Sequence, residues 1–123
     1  MTKILVAEDE QDILELLEFA LQHAGFEVVC VTNGKEAIDE AKNAEPDLIL
    51  LDIRMPYMSG LDACKLLKSD PKTKEIPIVF LSAKGQKSEI MEGFEAGAID
   101  YLLKPFSPDY LNKRIREILE GAA

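Results

Sequence analysis

The sequence has little of what marks membrane or exported proteins. Its longest apolar runs, Leu48–Leu51 and Ile78–Leu81, are far too short to cross a bilayer. A strand-like run begins almost directly after Met1, so no signal peptide is visible. We therefore expect a cytoplasmic protein that does not associate with membranes.

Cysteine and histidine are scarce. Cys30 and Cys64 form no CxxC motif and have no histidine at ligand spacing. We therefore expect buried free thiols in a reducing compartment, and neither a disulfide nor a cysteine metal site. The single histidine, His23, falls late in a predicted helix without an aspartate or serine at a useful spacing, so it is a poor candidate for a catalyst.

Positive charge is also in short supply. Fourteen Lys and Arg stand against 23 Asp and Glu, which gives a net charge of −9. A protein that binds a phosphate backbone needs a cationic face, so direct nucleic-acid binding is disfavoured. The basic residues Lys113, Arg114 and Arg116 are read as a helix C-terminal half that balances nearby acids.

What the chain does have is the length and apolar content of one globular domain. With 123 residues, 47% of them hydrophobic, it has room for a single core over residues 1–123. Short β-branched runs alternate with amphipathic segments. The predicted strands are Lys3–Ala7, Glu27–Val31, Asp47–Leu51, Ile78–Leu81 and Asp100–Leu103.

The segments between these runs show helical spacing. The first is striped by Leu14, Leu17 and Leu21, and Ile90 and Phe94 mark the fourth. Several strands are apolar at nearly every position, as parallel strands covered on both faces are. Strict alternation of this kind predicts an α/β fold, a doubly wound five-stranded parallel sheet.

Polar residues concentrate where the predicted strands end. In doubly wound sheets, ligands bind beyond the carboxyl ends of the strands. The residues at these ends are Glu8, Asp9 and Glu10, then Asp52, then Ser82, then Lys104. Clustered carboxylates repel one another, and a hard divalent cation relieves that repulsion. A lysine, a hydroxyl and a nucleophilic carboxylate complete the requirements of phosphoryl transfer.

Four motifs carry a resemblance to a known family. They are Val6-Ala7-Glu8-Asp9-Glu10, Leu50-Leu51-Asp52-Ile53-Arg54-Met55-Pro56 with Gly60, Phe80-Leu81-Ser82-Ala83-Lys84, and Asp100-Tyr101-Leu102-Leu103-Lys104-Pro105-Phe106. In order and position they resemble the motifs of response-regulator receiver domains of the CheY-like superfamily, and most closely receivers of the OmpR/PhoB type. The resemblance spans essentially the whole chain and implies a flavodoxin-like (βα)5 sheet of strand order 2-1-3-4-5.

The resemblance also implies a chemistry for these positions. Asp52 would accept a phosphoryl group from a sensor histidine kinase in a Mg²⁺-dependent reaction. Asp9 and Asp52 would bind Mg²⁺ together with the backbone carbonyl of Arg54, and Glu8 would act largely through water. Glu8 stands where many family members have aspartate.

Two further residues would contact the phosphoryl group, namely Ser82 and Lys104. Tyr101 would turn inward as Ser82 moves toward the phosphate, and the Lys104-Pro105 bond would be cis. Arg54 and Lys84 would flank the centre and tune the approach of water. Such a domain promotes its own phosphorylation and dephosphorylation, and it is not an enzyme with an external substrate.

The output surface implied by the resemblance is the face of the fourth helix, fifth strand and fifth helix. In DNA-binding members this face forms a phosphorylation-dependent homodimer held by charged pairs. Asp100, Arg114, Glu95 and Arg116 are candidates for part of that set. An apolar pair, Ile90 and Tyr110, stands where another charged pair is usual. The output therefore stays open between a homodimer and a downstream effector domain or protein.

Simpler structural roles exist for each of these residues. Asp52 and Ser82 can cap turns, Glu8-Asp9-Glu10 can be charges at a helix start, Lys104 can form a surface ion pair, and Tyr101 can be a half-buried strand aromatic.

Three other functional classes also compete. A flavin-binding module would need a neutral phosphate loop after the first strand, where this chain has acids. A phosphohydrolase would need a second Asp two residues after its nucleophile, and a receiver relic would bind partners without phosphorylation.

Overall fold

Strands and helices alternate throughout the part of the chain that the computed structural model describes, residues 1–82, 87–104 and 106–121. The strands are β1 (Lys3–Ala7), β2 (Glu27–Val31), β3 (Leu48–Asp52), β4 (Ile78–Ser82) and β5 (Asp100–Leu103). The helices are α1 (Gln11–His23), α2 (Gly34–Ala44), α3 (Gly60–Ser69), α4 (Lys87–Glu95) and α5 (Pro108–Gly121).

All five strands form one parallel sheet in the order β2-β1-β3-β4-β5. The predicted doubly wound architecture and the strand order implied by the resemblance are therefore confirmed. The predicted bounds of β1, β2 and β5 agree with the structure. However, β3 begins and ends one residue later than predicted, and β4 is one residue longer. As a result, Asp52 and Ser82 are the last residues of their strands, so the sheet itself fixes their backbones.

Helices cover both faces of the sheet and divide the core into two layers. Ile4 and Val6 belong to the layer formed with α1 and α5, whereas Leu5 and Ala7 belong to the layer with α2 and α3. Successive strand side chains point to opposite faces, so both faces of each central strand are buried. Every residue of β3 and β4 is buried, which explains their nearly continuous apolar sequence.

Ile90 and Phe94, the apolar residues that mark the fourth helix in the sequence, are not the residues that it buries against the sheet. Phe94 is 47% exposed and Ile90 is only half-buried. Among residues 88–95 of α4, whose burial the structure describes, Glu89 and Gly93 are buried. An added Cβ at Gly93 would stand 2.9 Å from the ring of Phe80, so the helix backbone lies directly against that ring. The side of α4 that faces the sheet thus contains a glycine and one carboxylate.

Both cysteines are free thiols, as expected. Cys64 is buried and its Sγ donates to the carbonyl of Ala96 at 3.4 Å. Cys30 is half-buried, somewhat more accessible than the sequence indicated. Burial raises the pKa of Cys64 to about 11 and that of Cys30 to about 12, so both thiols are poor nucleophiles at neutral pH. Among the residues that the structure describes, no helix is both long enough and apolar enough to cross a membrane.

The turn between β3 and α3 holds the end of β3 in place. The Gly60 N–H donates to the carbonyl of Ile53 at 2.8 Å, and Ser59 Oγ caps α3 by accepting from the Asp62 N–H at 3.2 Å. A Cβ at Gly60 would overlap the backbone carbonyl oxygen of Asp52. Glycine at this position therefore allows the loop to pack closely behind Asp52.

We predict that Gly60→Ala destabilises the fold by about 2 kcal/mol or more, because the backbone of β3 would have to shift to admit the methyl group. Urea unfolding followed by circular dichroism measures this change. Gly121→Ala is the matched control, since a Cβ there meets nothing within 4 Å. Equal stability of the two variants would contradict the close packing described here.

Candidate functional site

The polar side chains at the strand ends come together at the carboxyl edge of the sheet. Glu8 directly follows β1, Asp52 ends β3, Ser82 ends β4, and Lys104 directly follows β5. Lys104 is also tied to β4, because its N–H donates to the Ser82 carbonyl at 2.8 Å. The parallel sheet thus gathers residues that are distant in sequence, as the strand-end argument predicts.

Three carboxylates form a compact acidic cluster at this edge. One oxygen each from Glu8, Asp9 and Asp52 lies within 4.8 Å of the other two. Glu8 is fully buried and Asp52 is 7% exposed, whereas Asp9 is exposed to solvent. Carboxylate oxygens at this spacing suit a hard divalent cation, and the exposed Asp9 leaves an approach from solvent.

A lysine partly compensates the acidic cluster. Lys104 Nζ lies 2.5 Å from Glu8 Oε1 and 3.6 Å from Asp52 Oδ2. Glu8 uses its other oxygen, Oε2, to accept from the Glu10 N–H at 3.1 Å. Both oxygens of Glu8 are therefore engaged within the protein. Lys104 is closer to Glu8 than to Asp52, and the sequence did not indicate which of the two carboxylates the lysine pairs with.

These surroundings change how Asp52 and Lys104 titrate. Burial and the neighbouring Glu8 carboxylate raise the pKa of Asp52 to about 7, although Lys104 and the Arg54 N–H oppose the rise. Burial alone would lower the pKa of Lys104, but Glu8 and Asp52 outweigh it and raise the value. The structure therefore holds a charged lysine next to a carboxyl group that resists ionisation.

The Ser82 hydroxyl and the Arg54 side chain meet at a residue that the sequence analysis missed. Ser82 Oγ donates to Glu89 Oε1 at 2.9 Å, and Arg54 Nη2 donates to Glu89 Oε2 at 3.2 Å. Glu89 is only 8% exposed although it lies on a surface helix. One signal was present in the sequence. Gly93 and Ala96, the small residues that face the sheet, follow Glu89 by four and seven positions, a spacing that places all three on the same side of a helix.

Tyr101 also contacts this carboxylate. Its hydroxyl donates to Glu89 Oε1 at 3.2 Å, the same oxygen that accepts from Ser82. Burial and the negative charge of Glu89 raise the pKa of Tyr101. The structure therefore connects the two residues that the resemblance assigns to a switch, Ser82 and Tyr101, through Glu89.

The residues considered for the output surface do not all lie together. Arg114 Nε and Asp100 Oδ2 form an ion pair at 2.5 Å between α5 and β5. Arg116 points away from this pair, since its guanidinium lies 5.2 Å from the centre of the Phe26 ring and donates to the Ala24 carbonyl at 2.7 Å. Arg116 therefore lies apart from the Asp100–Arg114 pair, because residues two apart on a helix face different sides. Its membership of the charged set stays a prediction.

The roles of the remaining output residues stay predictions, and the structure gives only their exposure. Tyr110 and Glu95 are exposed, and Ile90 is half-buried. Two expectations lie outside the described residues: the role of Lys84 beside the centre, and the isomer of the Lys104-Pro105 bond, because Pro105 is not described.

Comparison with known proteins identifies the family. A family model described as the response regulator receiver domain matches residues 4–116. The chain belongs to this family. As a receiver, it has a signalling role in two-component systems and is not an enzyme in the usual sense. The recognition made from the four motifs is confirmed.

Individual relatives agree with this assignment. The receiver is 40% identical to the alkaline phosphatase synthesis transcriptional regulatory protein PhoP of Bacillus subtilis, over 95% of this chain and 48% of that protein. It is 43% identical to the phosphate regulon transcriptional regulatory protein PhoB of Klebsiella pneumoniae, over 95% of this chain and 51% of that protein. The receiver thus spans about half the length of these relatives.

A solved structure matches over nearly its full length. It is a putative response regulator from Chloroflexus aurantiacus, which superposes with a TM-score of 0.92 at 39% identity and covers 97% of this chain and 98% of that chain. The similarity supports the fold and the family independently of the longer relatives.

We predict that Asp52→Asn stabilises the metal-free receiver at neutral pH. The folded-state pKa of Asp52, about 7, lies above the ordinary value, so the wild type loses stability as pH rises from about 4 to about 7. Asparagine does not titrate and avoids this loss. The advantage of the variant should therefore grow across that range to the order of 4 kcal/mol.

Urea unfolding across the same pH range, with a chelator present, measures the difference. Asp39→Asn is the matched control, because it removes one exposed negative charge outside the acidic cluster. A stability difference that does not change with pH would show that Asp52 titrates normally.

Proposed function

We propose that residues 1–123 form a receiver domain that accepts a phosphoryl group on Asp52 from a sensor histidine kinase in a Mg²⁺-dependent reaction. The observation that carries the proposal is the acidic cluster of Glu8, Asp9 and Asp52 beside the Lys104 ammonium. A nucleophilic carboxylate, a place for a hard cation and a fixed positive charge occur there within a few ångströms. Membership of the receiver family supports the same chemistry.

The proposed metal ligands are the carboxylates of Asp9 and Asp52 and the backbone carbonyl of Arg54. Glu8 acts through water, because both of its oxygens already have partners within the protein. Oε1 is paired with Lys104, and Oε2 accepts from the Glu10 N–H. The three-carboxylate cluster fits Mg²⁺, which prefers a few carboxylates and retains waters for the remaining positions. When bound, Mg²⁺ supplies positive charge that favours ionised Asp52 and neutralises phosphoryl oxygens.

Asp52 is the proposed nucleophile. A carboxylate oxygen forms a bond to phosphorus as the bond from phosphorus to the donor's leaving group breaks, which gives an acyl phosphate on Asp52. Lys104 lies 3.6 Å from Asp52 and is placed to neutralise the incoming charge, and the Ser82 hydroxyl can donate to a phosphoryl oxygen. Hydrolysis of the same acyl phosphate returns Asp52 to its free state. Arg54, whose side chain is 70% exposed, borders the entrance for water.

The proposed output is a change in the surface formed by α4, β5 and α5. Tyr101 and Ser82 are its switch residues, and both are linked to α4 through Glu89. The longer relatives are transcriptional regulators by name, which supports a downstream effector domain or protein as the recipient of the signal. A phosphorylation-dependent homodimer is the alternative form of output. The net charge of −9 argues against direct nucleic-acid binding by the receiver itself.

Intact mass after incubation with a small acyl-phosphate donor tests the proposal. We expect one added phosphoryl group in the wild type with Mg²⁺ present, and none after chelation, because the acidic cluster then repels the donor. Asp52→Asn is the variant that should remain unmodified under both conditions.

Phosphorylation that persists in Asp52→Asn would show that the acceptor is another residue. If the wild type takes up no phosphoryl group from the acyl phosphate, incubation with a phosphorylated histidine kinase domain completes the test. Failure with both donors would contradict the proposed function.

A further inference from the structure

We propose that Glu89 is a positioning residue that competes with the phosphoryl group for the Ser82 hydroxyl and thereby sets how readily the receiver is activated. The inference rests on the proposed function, since it assumes that Ser82 serves a phosphoryl group on Asp52. It concerns a residue of α4 outside the acidic cluster and the lysine.

The contacts of Glu89 reach three elements of the receiver. Glu89 Oε1 accepts from Ser82 Oγ at 2.9 Å and from the Tyr101 hydroxyl at 3.2 Å. Glu89 Oε2 accepts from Arg54 Nη2 at 3.2 Å. The three donors belong to β4, β5 and the segment that follows β3. One carboxylate of α4 therefore accepts hydrogen bonds from side chains on β4, on β5 and in the segment after β3. The ends of these three strands belong to the proposed phosphorylation centre.

Glu89 is ionised in this position. Burial alone would raise its pKa, but the hydrogen bonds from Ser82, Tyr101 and Arg54 outweigh burial and lower the pKa below its ordinary value. Hydrogen bonds to a charged acceptor are about twice as strong as those between neutral groups. The Ser82 hydroxyl is therefore held by a strong acceptor in the unphosphorylated receiver.

Competition follows from the chemistry of a hydroxyl group. A serine has a single O–H to donate, so a hydrogen bond from Ser82 to Glu89 and one to a phosphoryl oxygen exclude each other. Capture of a phosphoryl group must break the Ser82–Glu89 hydrogen bond and leave Tyr101 and Arg54 as the remaining donors to Glu89. The free-energy cost of that break reduces the affinity of the centre for a phosphoryl group.

Glu89→Gln tests this competition with little change in shape. The amide keeps the size of the side chain but removes its charge, and hydrogen bonds from Ser82 and Arg54 to a neutral acceptor are weaker. The probe is beryllofluoride, which mimics a phosphoryl group on Asp52. Its dissociation constant is measured at fixed Mg²⁺ by titration of the backbone amide NMR spectrum. We expect Glu89→Gln to bind the probe roughly fivefold more tightly than the wild type.

Two comparisons separate competition from general damage. Glu92→Gln removes a negative charge from the exposed side of the same helix, and its affinity should equal that of the wild type. In a Ser82→Ala background, the gain from Glu89→Gln should fall below about twofold, because the hydroxyl for which the groups compete is absent. Glu89→Ala removes the carboxyl group altogether and gives the same sign of change if the glutamine variant does not fold.

Each outcome decides the inference. Tighter binding in Glu89→Gln that is lost in the Ser82→Ala background supports it, since damage to the fold would weaken binding. Unchanged or weaker binding by a folded Glu89→Gln overturns it, as does a gain that persists without Ser82. If the wild type does not bind the probe, or binds it no more tightly than Asp52→Asn, the proposed function itself fails, and the competition with it.

Discussion

The ion pair between Lys104 Nζ and Glu8 Oε1 joins two residues 96 positions apart in the chain. It connects the ends of β1 and β5, which are separated in the sheet by β3 and β4. Glu8 is fully buried, and a buried carboxylate without a partner costs several kcal/mol. The pair therefore requires the ends of β1, β3, β4 and β5 to keep their positions, and Asp52, at the end of β3, lies 3.6 Å from the same ammonium. Other features of the centre, including the raised pKa of Asp52, depend on this arrangement.

A second carboxylate, Glu89, organises the side of the centre that faces α4. It is compensated by hydrogen bonds from Ser82, Tyr101 and Arg54, whereas Glu8 is compensated by a lysine. The two acids divide the polar side chains of the strand ends between them. Ser82 and Lys104, which the proposed function assigns to the phosphoryl group, each have an internal acceptor before any phosphoryl group arrives. Under the proposed function, activation is an exchange of acceptors by Ser82 and Lys104.

Most of the fold and part of the centre could be predicted from the sequence. The alternation of apolar runs and amphipathic segments predicts a parallel sheet, whose strands bring their carboxyl ends to one edge, so Glu8, Asp52 and Lys104 are expected at that edge. The strand order that brings the ends of β1, β3 and β5 close together was implied by the family resemblance. The partners within that edge could not be predicted, because side-chain length and rotamer decide whether Lys104 pairs with Glu8 or Asp52. The role of Glu89 was hidden for a similar reason: a charged residue on a surface helix normally faces water, and its donors come from three distant segments.

The contact between Gly93 and the Phe80 ring has a consequence for motion. Helices α1, α3 and α5 pack on the sheet through buried leucine or isoleucine side chains, so a displacement of these helices would require repacking. At Gly93 the backbone of α4 lies directly against the Phe80 ring, because glycine has no side chain to separate them. A helix that rests on a smooth surface can slide by a small amount without opening a cavity, which is a shear movement. The glycine therefore gives α4 a contact with the sheet that can shift at low packing cost, next to the carboxylate that binds Ser82.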